Sequence, residues 1–522
     1  MSTAVSSTTL STRAESATSH DMATGLRQRL ARDVWTVGAA TMLGQVVGVA
    51  TSVSLRWLLS PTELGVWQSL RMFLSYGNYT GLGASKGAAR ELSVSLGKRE
   101  TADGSSIAHT LNLAHTVNTL TSVLYGVALA GVAIWWSFTS SGGLSHAWVA
   151  GWLFLALFVV LQRATSFHIT LLRAEQRFGV TSWQGLAEGV LTLALGAMAA
   201  WLAGLPGLYA ATLLIGLASL VYLRHVATHR LRFAWDTVEI RRLVAIGGPI
   251  LLVGLFTTLL RSLDRLTLLT FSTQPEFDVG CYSTALLIGS QLHGLASVGG
   301  TVTSPKLAQL HGSNNSSTAV ARFAAETSIV QTSWMSLFAS LAVIVGPSAL
   351  AMLFPGYESA LVAIPSVACS TVAGVVALQG SNTLIATGRE RAALAALVIA
   401  TIVSGLLLVV VGCTTPTLAA VSMTAMVGNF VYAAIAAGWG ILAGLSRKEV
   451  IATVAAHLAA IAPLALATTL MLIYSPAHGA TSQHSALTLM AQLLLVSIVW
   501  YIMRGVSRKS FAIVTSPEVV HS

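Results

Sequence analysis

Eight ionisable side chains interrupt stretches of the sequence that are otherwise apolar. They are five arginines, two acids and one histidine: Arg56, Arg71, Arg163, Arg261, Arg265, Glu188, Asp264 and His293. If these stretches cross a membrane, a charge at the bilayer centre costs about 2.5–3.5 kcal/mol and normally faces a cavity or a partner. Arginine presents a planar fork of donors that binds carboxylate or phosphate oxygens in pairs. The excess of arginine therefore predicts an anionic ligand.

Asp264 and His293 each allow two interpretations. Asp264 stands one helical turn after Arg261 and beside Arg265, where it either forms a structural ion pair or touches the ligand directly. His293 lies in the middle of an apolar stretch. It either carries a proton or only forms a hydrogen bond between helices.

Glu188 also has two possible roles, because no residue at helical spacing from it is basic. It either pairs with Arg163 on the adjacent stretch or binds a coupling ion. Arg163, near an inner helix end, is also placed to reach lipid headgroups on the cytoplasmic side. A metal site is not predicted, since no set of His, Cys, Asp and Glu has zinc-ligand spacing. The three cysteines, at 281, 369 and 413, are also too few for a disulfide framework.

The composition places these residues in a membrane protein. Only 9% of the 522 residues are Asp, Glu, Lys or Arg, against 54% hydrophobic residues. A soluble protein usually carries about 25% charged residues, so an ordinary globular enzyme is excluded. The net charge of +10 would suit a nucleic acid only if the basic residues formed one water-exposed face. Their distribution among the loops is different, and no nucleic-acid partner is predicted.

Helices of about 20 mostly apolar residues are long enough to cross the hydrocarbon core. Fourteen such stretches occur, which predicts an all-α polytopic membrane protein. Their approximate limits are 34–56, 64–84, 112–137, 148–170, 179–203, 206–223, 243–272, 280–303, 327–350, 360–386, 392–412, 416–443, 451–474 and 486–503. Only Gly204, Leu205 and Pro206 separate the fifth stretch from the sixth, and Gly-x-Pro predicts a tight turn there.

The basic residues outside these spans lie on alternate loops. They number 24 of the 29 Lys and Arg residues, and all fall on the side that holds both termini. The opposite loops carry acids only: Glu63, Glu276, Asp278 and Glu358. Because cytoplasmic loops are enriched in Lys and Arg, both termini are predicted to be cytoplasmic in a multi-pass protein of the cytoplasmic membrane. Residues 1–32, rich in Ser and Thr, predict a disordered cytoplasmic tail, and 504–522 a second cytoplasmic tail.

A short motif occurs at the outer ends of both span 2 and span 8. It reads Glu63-Leu64-Gly65-Val66-Trp67 in one and Asp278-Val279-Gly280-Cys281-Tyr282 in the other. The two copies are six spans apart, which predicts two lobes in the same orientation with a cavity between them, as in parallel-repeat transporters. The predicted domains are an N-lobe at 33–224, a basic linker at 225–242, a C-lobe at 243–444, and spans 13 and 14 at 445–503.

The two-lobe arrangement gives the arginines a predicted position. Arg71 in span 2 and Arg261 in span 7 both lie about a third of the way into the membrane from the outside. In opposing lobes, both would face one outward-open cavity and engage an anionic headgroup. Arg56 and Arg265 either line the same cavity or extend their charged ends to the outer interface.

Two groups of residues carry a family resemblance. The first is the loop Leu82-Gly83-Ala84-Ser85-Lys86-Gly87-Ala88-Ala89-Arg90-Glu91-Leu92, followed by Gly97-Lys98. The second is Gly248-Pro249, then Asp264-Arg265, then Gly280-Cys281-Tyr282-Ser283-Thr284-Ala285. The first resembles the first cytoplasmic loop of polysaccharide-transporter flippases, with Lys86, Arg90 and Glu91 as its charged residues. The second is similar to the Gly-x-Pro, Asp-Arg and Gly-x-Tyr-x-x-Ala pattern of the same family. These flippases belong to the multidrug/oligosaccharidyl-lipid/polysaccharide exporter superfamily, and the resemblance covers nearly the whole chain.

The resemblance implies a transporter, not an enzyme, similar to the O-antigen flippases. Such a protein moves a polyprenyl-pyrophosphate-linked oligosaccharide to the outer leaflet by rocking two lobes, for the synthesis of surface or exported polysaccharide. Arg71 and Arg261 would then engage the pyrophosphate. The implied partners are the lipid-linked oligosaccharide, membrane lipid, and a polysaccharide polymerase with its export machinery. No cofactor is expected beyond a proton or sodium gradient, for which Glu188, Asp264 and His293 are the candidate carriers.

Two other functions compete with this interpretation. A multidrug exporter of the same superfamily binds cations through acids of its N-lobe, but span 1 holds no acid deeper than Asp33. A membrane glycan polymerase or ligase usually needs a substantial outer loop. The longest outer loops here, near 139–146 and 475–485, are short and hold no paired carboxylates. An anionic lipid substrate for a transporter is therefore favoured.

Overall fold

The computed structural model describes residues 38–40, 42–97, 104–139, 145–229, 231–314, 317–474, 490, 493–502, 504 and 505. Every regular element within these ranges is a helix. The predicted all-α class is therefore confirmed for this part of the chain. The predicted tail at 1–32 and nearly all of the tail at 504–522 lie outside the described residues.

The helices follow one another along the chain with short connections. They are α1 (Gly38–Leu58), α2 (Pro61–Gly77), α3 (Ala84–Gly97), α4 (Gly104–Thr139), α5 (Ser145–Ala174), α6 (Phe178–Leu191), α7 (Ala197–Val226), α8 (Thr237–Leu260), α9 (Leu263–Phe271), α10 (Pro275–Asn314), α11 (Ser317–Leu353), α12 (Ile364–Ala386), α13 (Glu390–Thr414), α14 (Leu418–Gly440), α15 (Arg447–Tyr474) and α16 (Leu493–Ile502). A π-helical turn, Thr192–Gly196, joins α6 to α7, and a 3₁₀ turn, Glu358–Ala363, precedes α12.

Ten helical segments of the described chain are long and apolar enough to cross a membrane. The protein is therefore a multi-pass membrane protein. One of the ten, Phe178–Val226, contains both predicted spans 5 and 6. Helix α2 is only 17 residues long, and α10 is interrupted by polar side chains, so neither is among the ten. The count of fourteen spans and the location of the termini remain predictions.

The predicted turn between spans 5 and 6 is present. Ala203 (φ −136°) and Gly204 (φ +61°) leave the helical conformation, and Pro206 follows. Glycine adopts a positive φ without steric cost, and proline cannot donate the backbone hydrogen bond that would continue the helix. The long apolar segment is therefore divided at this point, as the Gly-x-Pro sequence predicts.

The predicted span 7, at 243–272, is not one continuous helix. Helix α8 ends at Leu260 and α9 begins at Leu263, with Ser262 at φ −126° between them. The Ser262 hydroxyl donates to the Thr258 carbonyl at 2.7 Å and shares a hydrogen bond of 2.5 Å with the Tyr76 hydroxyl. The hydroxyl thus bonds to the Thr258 carbonyl, which in a regular α-helix would accept from the Ser262 amide; that amide donates to the Leu259 carbonyl instead. The break places Arg261 between two helix ends.

The chain packs as two compact units. Unit 1 comprises the described residues of Met1–Leu58 and Thr80–Gly248, and unit 2 those of Leu59–Tyr79 and Pro249–Ser522. In this grouping α2 belongs to unit 2, and the predicted lobes at 33–224 and 243–444 remain predictions. Arg71 and Arg261 are thus in the same unit, whereas the sequence prediction placed them in opposing lobes.

Glycine contacts explain why α2 packs within unit 2. A Cβ atom on Gly65 of α2 would overlap the backbone of Glu276, and one on Gly280 of α10 would overlap the backbone of Pro61. The two helices therefore approach closely at two reciprocal points, as small residues permit between membrane helices. These are the central glycines of the repeated motif. The repeat marks the place where α2 and α10 cross.

The predicted cytoplasmic loop motif forms α3 in unit 1. Gly83 has φ +85° and approaches the Gly247 backbone, where no Cβ would fit. Glu91 forms an ion pair of 2.6 Å with Arg242. Lys86 and Arg90 are exposed. The acid of this motif therefore has a packing role, and its two basic residues are free to meet solvent or lipid headgroups.

Helix α15 packs on α11 through a polar contact at one end. Arg322 Nε donates to Glu449 Oε1 at 2.7 Å, and Glu449 Oε2 accepts from the Ser446 amide and hydroxyl. The exposed fraction is 24% for the Arg322 side chain and 10% for the Glu449 side chain. This ion pair therefore attaches the predicted span 13 to unit 2.

Replacing Arg322 by alanine is expected to lower the thermal stability of the detergent-purified protein. It leaves the mostly buried Glu449 carboxylate without its charged donor, and hydrogen bonds to charged groups contribute about 1.5–3 kcal/mol. The melting temperature measures the effect. The control is Lys448→Ala, which removes the same charge from an exposed neighbour. Equal melting temperatures for the two variants would contradict a stabilising role for the pair.

Candidate functional site

Unit 2 contains a cavity beside the break between α8 and α9, lined by both polar and apolar residues. Its volume is about 330 Å³. The ionisable part of the lining consists of Arg261, Asp264, Arg265, Tyr282 and His293. Small hydroxyl side chains of α12 and α14, among them Ser366, Ser370, Thr371 and Ser422, and the amide of Asn429 complete the polar wall. The volume is at the lower end for ligand pockets, about 300–1,000 Å³, which suits part of a large substrate.

Arg261 is held at the break by a histidine. One of its guanidinium nitrogens lies 2.6 Å from His293 Nε2, on α10. Because guanidinium has only donors, this nitrogen of His293 accepts the hydrogen bond. The hydroxyls of Tyr79 and Tyr432 are close enough to act on the arginine charge. The Arg261 side chain is otherwise exposed, so its remaining donors are available to a ligand.

Asp264 is fully engaged by neighbours in unit 2. Its Oδ1 accepts from the Arg265 amide at 2.7 Å, and its Oδ2 accepts from the Tyr282 hydroxyl at 2.7 Å. The Arg265 Nε lies 3.9 Å from Oδ1, and an Arg265 terminal nitrogen donates to the Arg261 carbonyl at 3.0 Å. The carboxylate thus contacts Arg265, and the Arg265 side chain in turn reaches the backbone carbonyl of Arg261. Of its two predicted roles, these contacts favour the structural ion pair, with Arg265 and not Arg261 as the partner.

Arg71 adds a further positive charge close enough to Arg265 for the two charges to repel each other. Its side chain projects from α2 and is exposed, and its charge acts repulsively on that of Arg265. Within the described part of the chain it has no hydrogen bond or ion pair. The site therefore has three guanidinium groups and one carboxylate, those of Arg71, Arg261 and Arg265 and that of Asp264. Such a cluster attracts an anion with two or more negative charges.

The other predicted site residues lie in unit 1. Arg56 is 5% exposed and donates to the Ser52 carbonyl at 2.7 Å. Arg163 packs against Gly81, and Glu188 accepts hydrogen bonds from Gln184 and Ser219. The predicted Arg163–Glu188 pair is not among the ion pairs of the described residues.

Several residues that border the site were missed by the sequence prediction: Tyr79, Ser262, Asn429 and Tyr432, and the hydroxyl residues of the cavity wall, Ser366, Ser370, Thr371 and Ser422. Tyr282 was noticed only as part of a motif, although its spacing within Gly-x-Tyr-x-x-Ala brings its hydroxyl to Asp264. Ser262 follows Arg261 directly, but a serine at this position carries no sequence signal for a helix break. Tyr432 and Asn429 come from α14, more than 160 positions along the chain.

The family of the chain is shown by its sequence. The family described as "Polysaccharide biosynthesis protein" matches residues 55–345, more than half of the chain. The protein belongs to this family. The matched region includes α2, the break between α8 and α9, and α10. No protein of the curated set matches the chain.

Solved structures of two transporter classes have a similar fold. "Lipid II flippase MurJ, inward closed conformation" superposes with a TM-score of 0.64 at 9% identity, covering 90% of this chain and 98% of that one. "Outward-facing conformation of a multidrug resistance MATE family transporter of the MOP superfamily" superposes with a TM-score of 0.56 at 15% identity, covering 79% of this chain and 95% of that one. "Crystal structure of MATE in complex with MaL6" superposes with a TM-score of 0.54 at 14% identity, covering 81% of this chain and 96% of that one. At these identities the likeness concerns the fold, which is common to the flippase and the exporters.

Proposed function

We propose that the protein is a flippase that moves a polyprenyl-pyrophosphate-linked oligosaccharide across the cytoplasmic membrane by alternating access. The observation that carries this proposal is the cavity at a broken helix, with Arg261 and Arg265 in its lining and the charge of Arg71 close to Arg265. A pyrophosphate presents several oxygens with more than one negative charge, which matches three guanidinium forks. The cavity holds the headgroup, and the wall of hydroxyl groups offers hydrogen bonds to the first sugar.

The family and the fold support a transporter of this kind. Membership in a polysaccharide biosynthesis family is consistent with a glycan-bearing substrate, and the fold similarity to a lipid II flippase supports a lipid-linked one. Translocation of such a substrate needs no bond to be made or broken in the membrane. The polymerase and export machinery that use the flipped glycan on the outer side are the expected partners.

A multidrug exporter remains the second candidate, because the MATE structures share the fold. Such a protein would bind organic cations through a carboxylate in its cavity. Here the cavity carboxylate, Asp264, already accepts hydrogen bonds from Arg265 and Tyr282, and arginines surround it. The balance of charge therefore favours an anionic substrate.

Reconstituted vesicles test both candidates. The protein is placed in liposomes with a short-chain polyprenyl-pyrophosphate disaccharide that carries a fluorescent nitrobenzoxadiazole label. Dithionite added outside then quenches only the label in the outer leaflet. The expected result is a slow second phase of quenching that protein-free vesicles lack, because inner-leaflet probe is carried outward. Ethidium transport with no flipping of the pyrophosphate probe would overturn the proposal in favour of a multidrug exporter.

A further inference from the structure

The segment that joins α7 to α8 presents an exposed apolar surface in unit 1. Phe233, Trp235 and Val238 are 71%, 63% and 79% exposed, and the exposed Arg232 and Arg241 accompany them. Exposed apolar groups of this kind mark contacts with a protein or a membrane. We infer that these five residues, the linker patch, lie in the membrane interface and bind the headgroups of anionic phospholipids. The inference concerns the surrounding lipid and does not depend on the proposed function.

Two hydrogen bonds attach this segment to α4. The Arg232 amide donates to Asn112 Oδ1 at 2.8 Å, and the Ala234 amide donates to Thr116 Oγ1 at 3.0 Å. Leu231 and Ala234 pack against the apolar core of unit 1. The linker patch is therefore held in place on a helix, and its aromatic side chains are exposed because the attached segment turns them outward.

The attachment points lie on the lipid-facing side of α4. Between positions 120 and 135 the exposed side chains of this helix are all apolar: Leu120, Val123, Leu124, Val127, Ala128, Ile134 and Trp135. Ionisable side chains of membrane helices face the protein interior or a cavity, so a wholly apolar exposed face contacts lipid tails. Thr116 and Asn112 precede Leu120 at intervals of four residues and therefore lie on the same face. The segment thus crosses α4 on the side that meets lipid.

The length of α4 sets the depth of the linker patch. Tryptophan is enriched at both membrane interfaces, and the exposed Trp135 marks one of them. Thr116 precedes it by 19 residues, which at about 1.5 Å per residue is about 29 Å, close to the hydrocarbon thickness of about 30 Å. Thr116 and the segment bonded to it therefore lie at the opposite interface, on the side predicted to be cytoplasmic. Trp235 of the patch has the same preference for this layer.

Three arginines supply positive charge at this depth. Arg232 and Arg241 belong to the linker patch, and Arg224 is exposed near the end of α7. Arg224 acts electrostatically on His115, whose ring centre lies 5.7 Å from that of Phe233. In the part of the chain that the structure describes, none of the three arginines forms an ion pair. Their charge is therefore available to phosphate groups, which arginine binds through paired donors.

The acids nearest to the linker patch are engaged within the protein. Asp236 Oδ1 accepts from the Val238 and Glu239 amides at 2.9 and 3.3 Å, at the start of α8. Glu239 and Glu91 each pair with Arg242 at 2.6 Å. Basic residues beside aromatic ones are typical of segments that bind anionic lipid at a membrane surface. A protein partner in the cytoplasm would need the patch to project into water, whereas its attachment to α4 places it among the headgroups.

Site-specific quenching by spin-labelled lipid tests the inference. Cys369→Ser and Cys413→Ser remove the accessible cysteines, since Cys281 is buried, and Val238→Cys is then labelled with bimane. The protein is placed in phosphatidylcholine vesicles that contain the same mole fraction of either phosphatidylglycerol or phosphatidylcholine with a nitroxide near the top of the acyl chain. Both spin-labelled lipids are expected to quench the bimane, and the anionic one about two-fold more strongly or better. High salt should reduce this preference, because it screens the arginine charges.

Arginine variants make the quenching test specific. Arg232→Gln/Arg241→Gln in the labelled protein should lower quenching by phosphatidylglycerol to the phosphatidylcholine level, while unchanged quenching by phosphatidylcholine shows that the patch has kept its place. The matched control is Arg447→Gln/Lys448→Gln, which removes two exposed basic residues at the start of α15 and should leave the preference as it was. No quenching by either lipid would overturn the inference and place the patch in water, where a protein could bind it. Equal quenching by the two lipids, or a preference that survives the loss of both arginines, would also overturn it.

Discussion

Arg261→Ala is expected to abolish flipping of a polyprenyl-pyrophosphate probe and to weaken its binding about 10- to 150-fold. The side chain lies at the break between α8 and α9, where His293 holds one of its nitrogens and leaves the others open to the cavity. Hydrogen bonds from a charged donor contribute about 1.5–3 kcal/mol, which corresponds to this loss of affinity. Binding is measured by titrating a fluorescent polyprenyl pyrophosphate into detergent-purified protein, and flipping by dithionite quenching in vesicles.

Three further variants show whether the shape or only the charge of Arg261 matters. Arg261→Lys keeps the charge but loses the fork, so it should recover part of the binding and less of the flipping. Arg71→Ala removes a second guanidinium of the cluster and should also abolish flipping. The control is Arg391→Ala, which removes an exposed arginine at the start of α13 and should behave as the wild type. Unchanged binding and flipping in both Arg261→Ala and Arg71→Ala would refute the assignment of the arginine cluster to the substrate.

His293 is part of the same prediction because it accepts the Arg261 hydrogen bond. A proton on Nε2 would remove this bond and place two cations 2.6 Å apart. The contact therefore disfavours His293 as a proton carrier in this conformation and favours a role in positioning Arg261. His293→Gln keeps an acceptor in reach, so it should reduce binding less than Arg261→Ala does.

Much of the site follows from local sequence patterns. The Asp264-Arg265 pair and the tyrosine of Gly-x-Tyr-x-x-Ala are in contact in unit 2, as a shared motif suggests. The turn at Gly204 follows from the chemistry of glycine and proline. A charged side chain costs free energy in lipid. The positions of Arg71 and Arg261 within apolar stretches therefore predict that both are functional residues.

The remaining features depend on contacts that are distant in sequence. The break at Ser262 has no glycine or proline to mark it, since it involves the Tyr76 hydroxyl of α2. Helix α2 packs against α10 because Gly65 and Gly280 let the two backbones approach closely. The alternation of basic and acidic loops along the chain does not reveal which helices pack together. For the same reason the sequence leaves two roles open for Glu188, pairing with Arg163 or binding a coupling ion, and it does not predict the hydrogen bond between Glu188 and Ser219 of α7.

The glycine crossing between α2 and α10 gives the second large expected effect. Gly65→Ala and Gly280→Ala are each expected to destabilise the protein by about 1–3 kcal/mol, because the added methyl group meets backbone that cannot rotate away as a side chain can. The two helices would separate, and α2 carries Arg71. Loss of flipping should therefore accompany the lower melting temperature in detergent.

The reciprocal geometry of the crossing predicts that the two effects are not additive. Either methyl group already forces α2 away from α10, so Gly65→Ala/Gly280→Ala should cost less than the sum of the single variants. Gly131→Ala on α4 is the matched control, since no atom outside its own helical turn lies within 4 Å of the added Cβ, and it should be neutral or slightly stabilising. Melting temperatures of the four proteins, measured beside the wild type, give the comparison. If the changes in melting temperature are fully additive, the two glycines act at independent contacts. If Gly65→Ala has the same melting temperature as Gly131→Ala, α2 and α10 do not approach closely at Gly65.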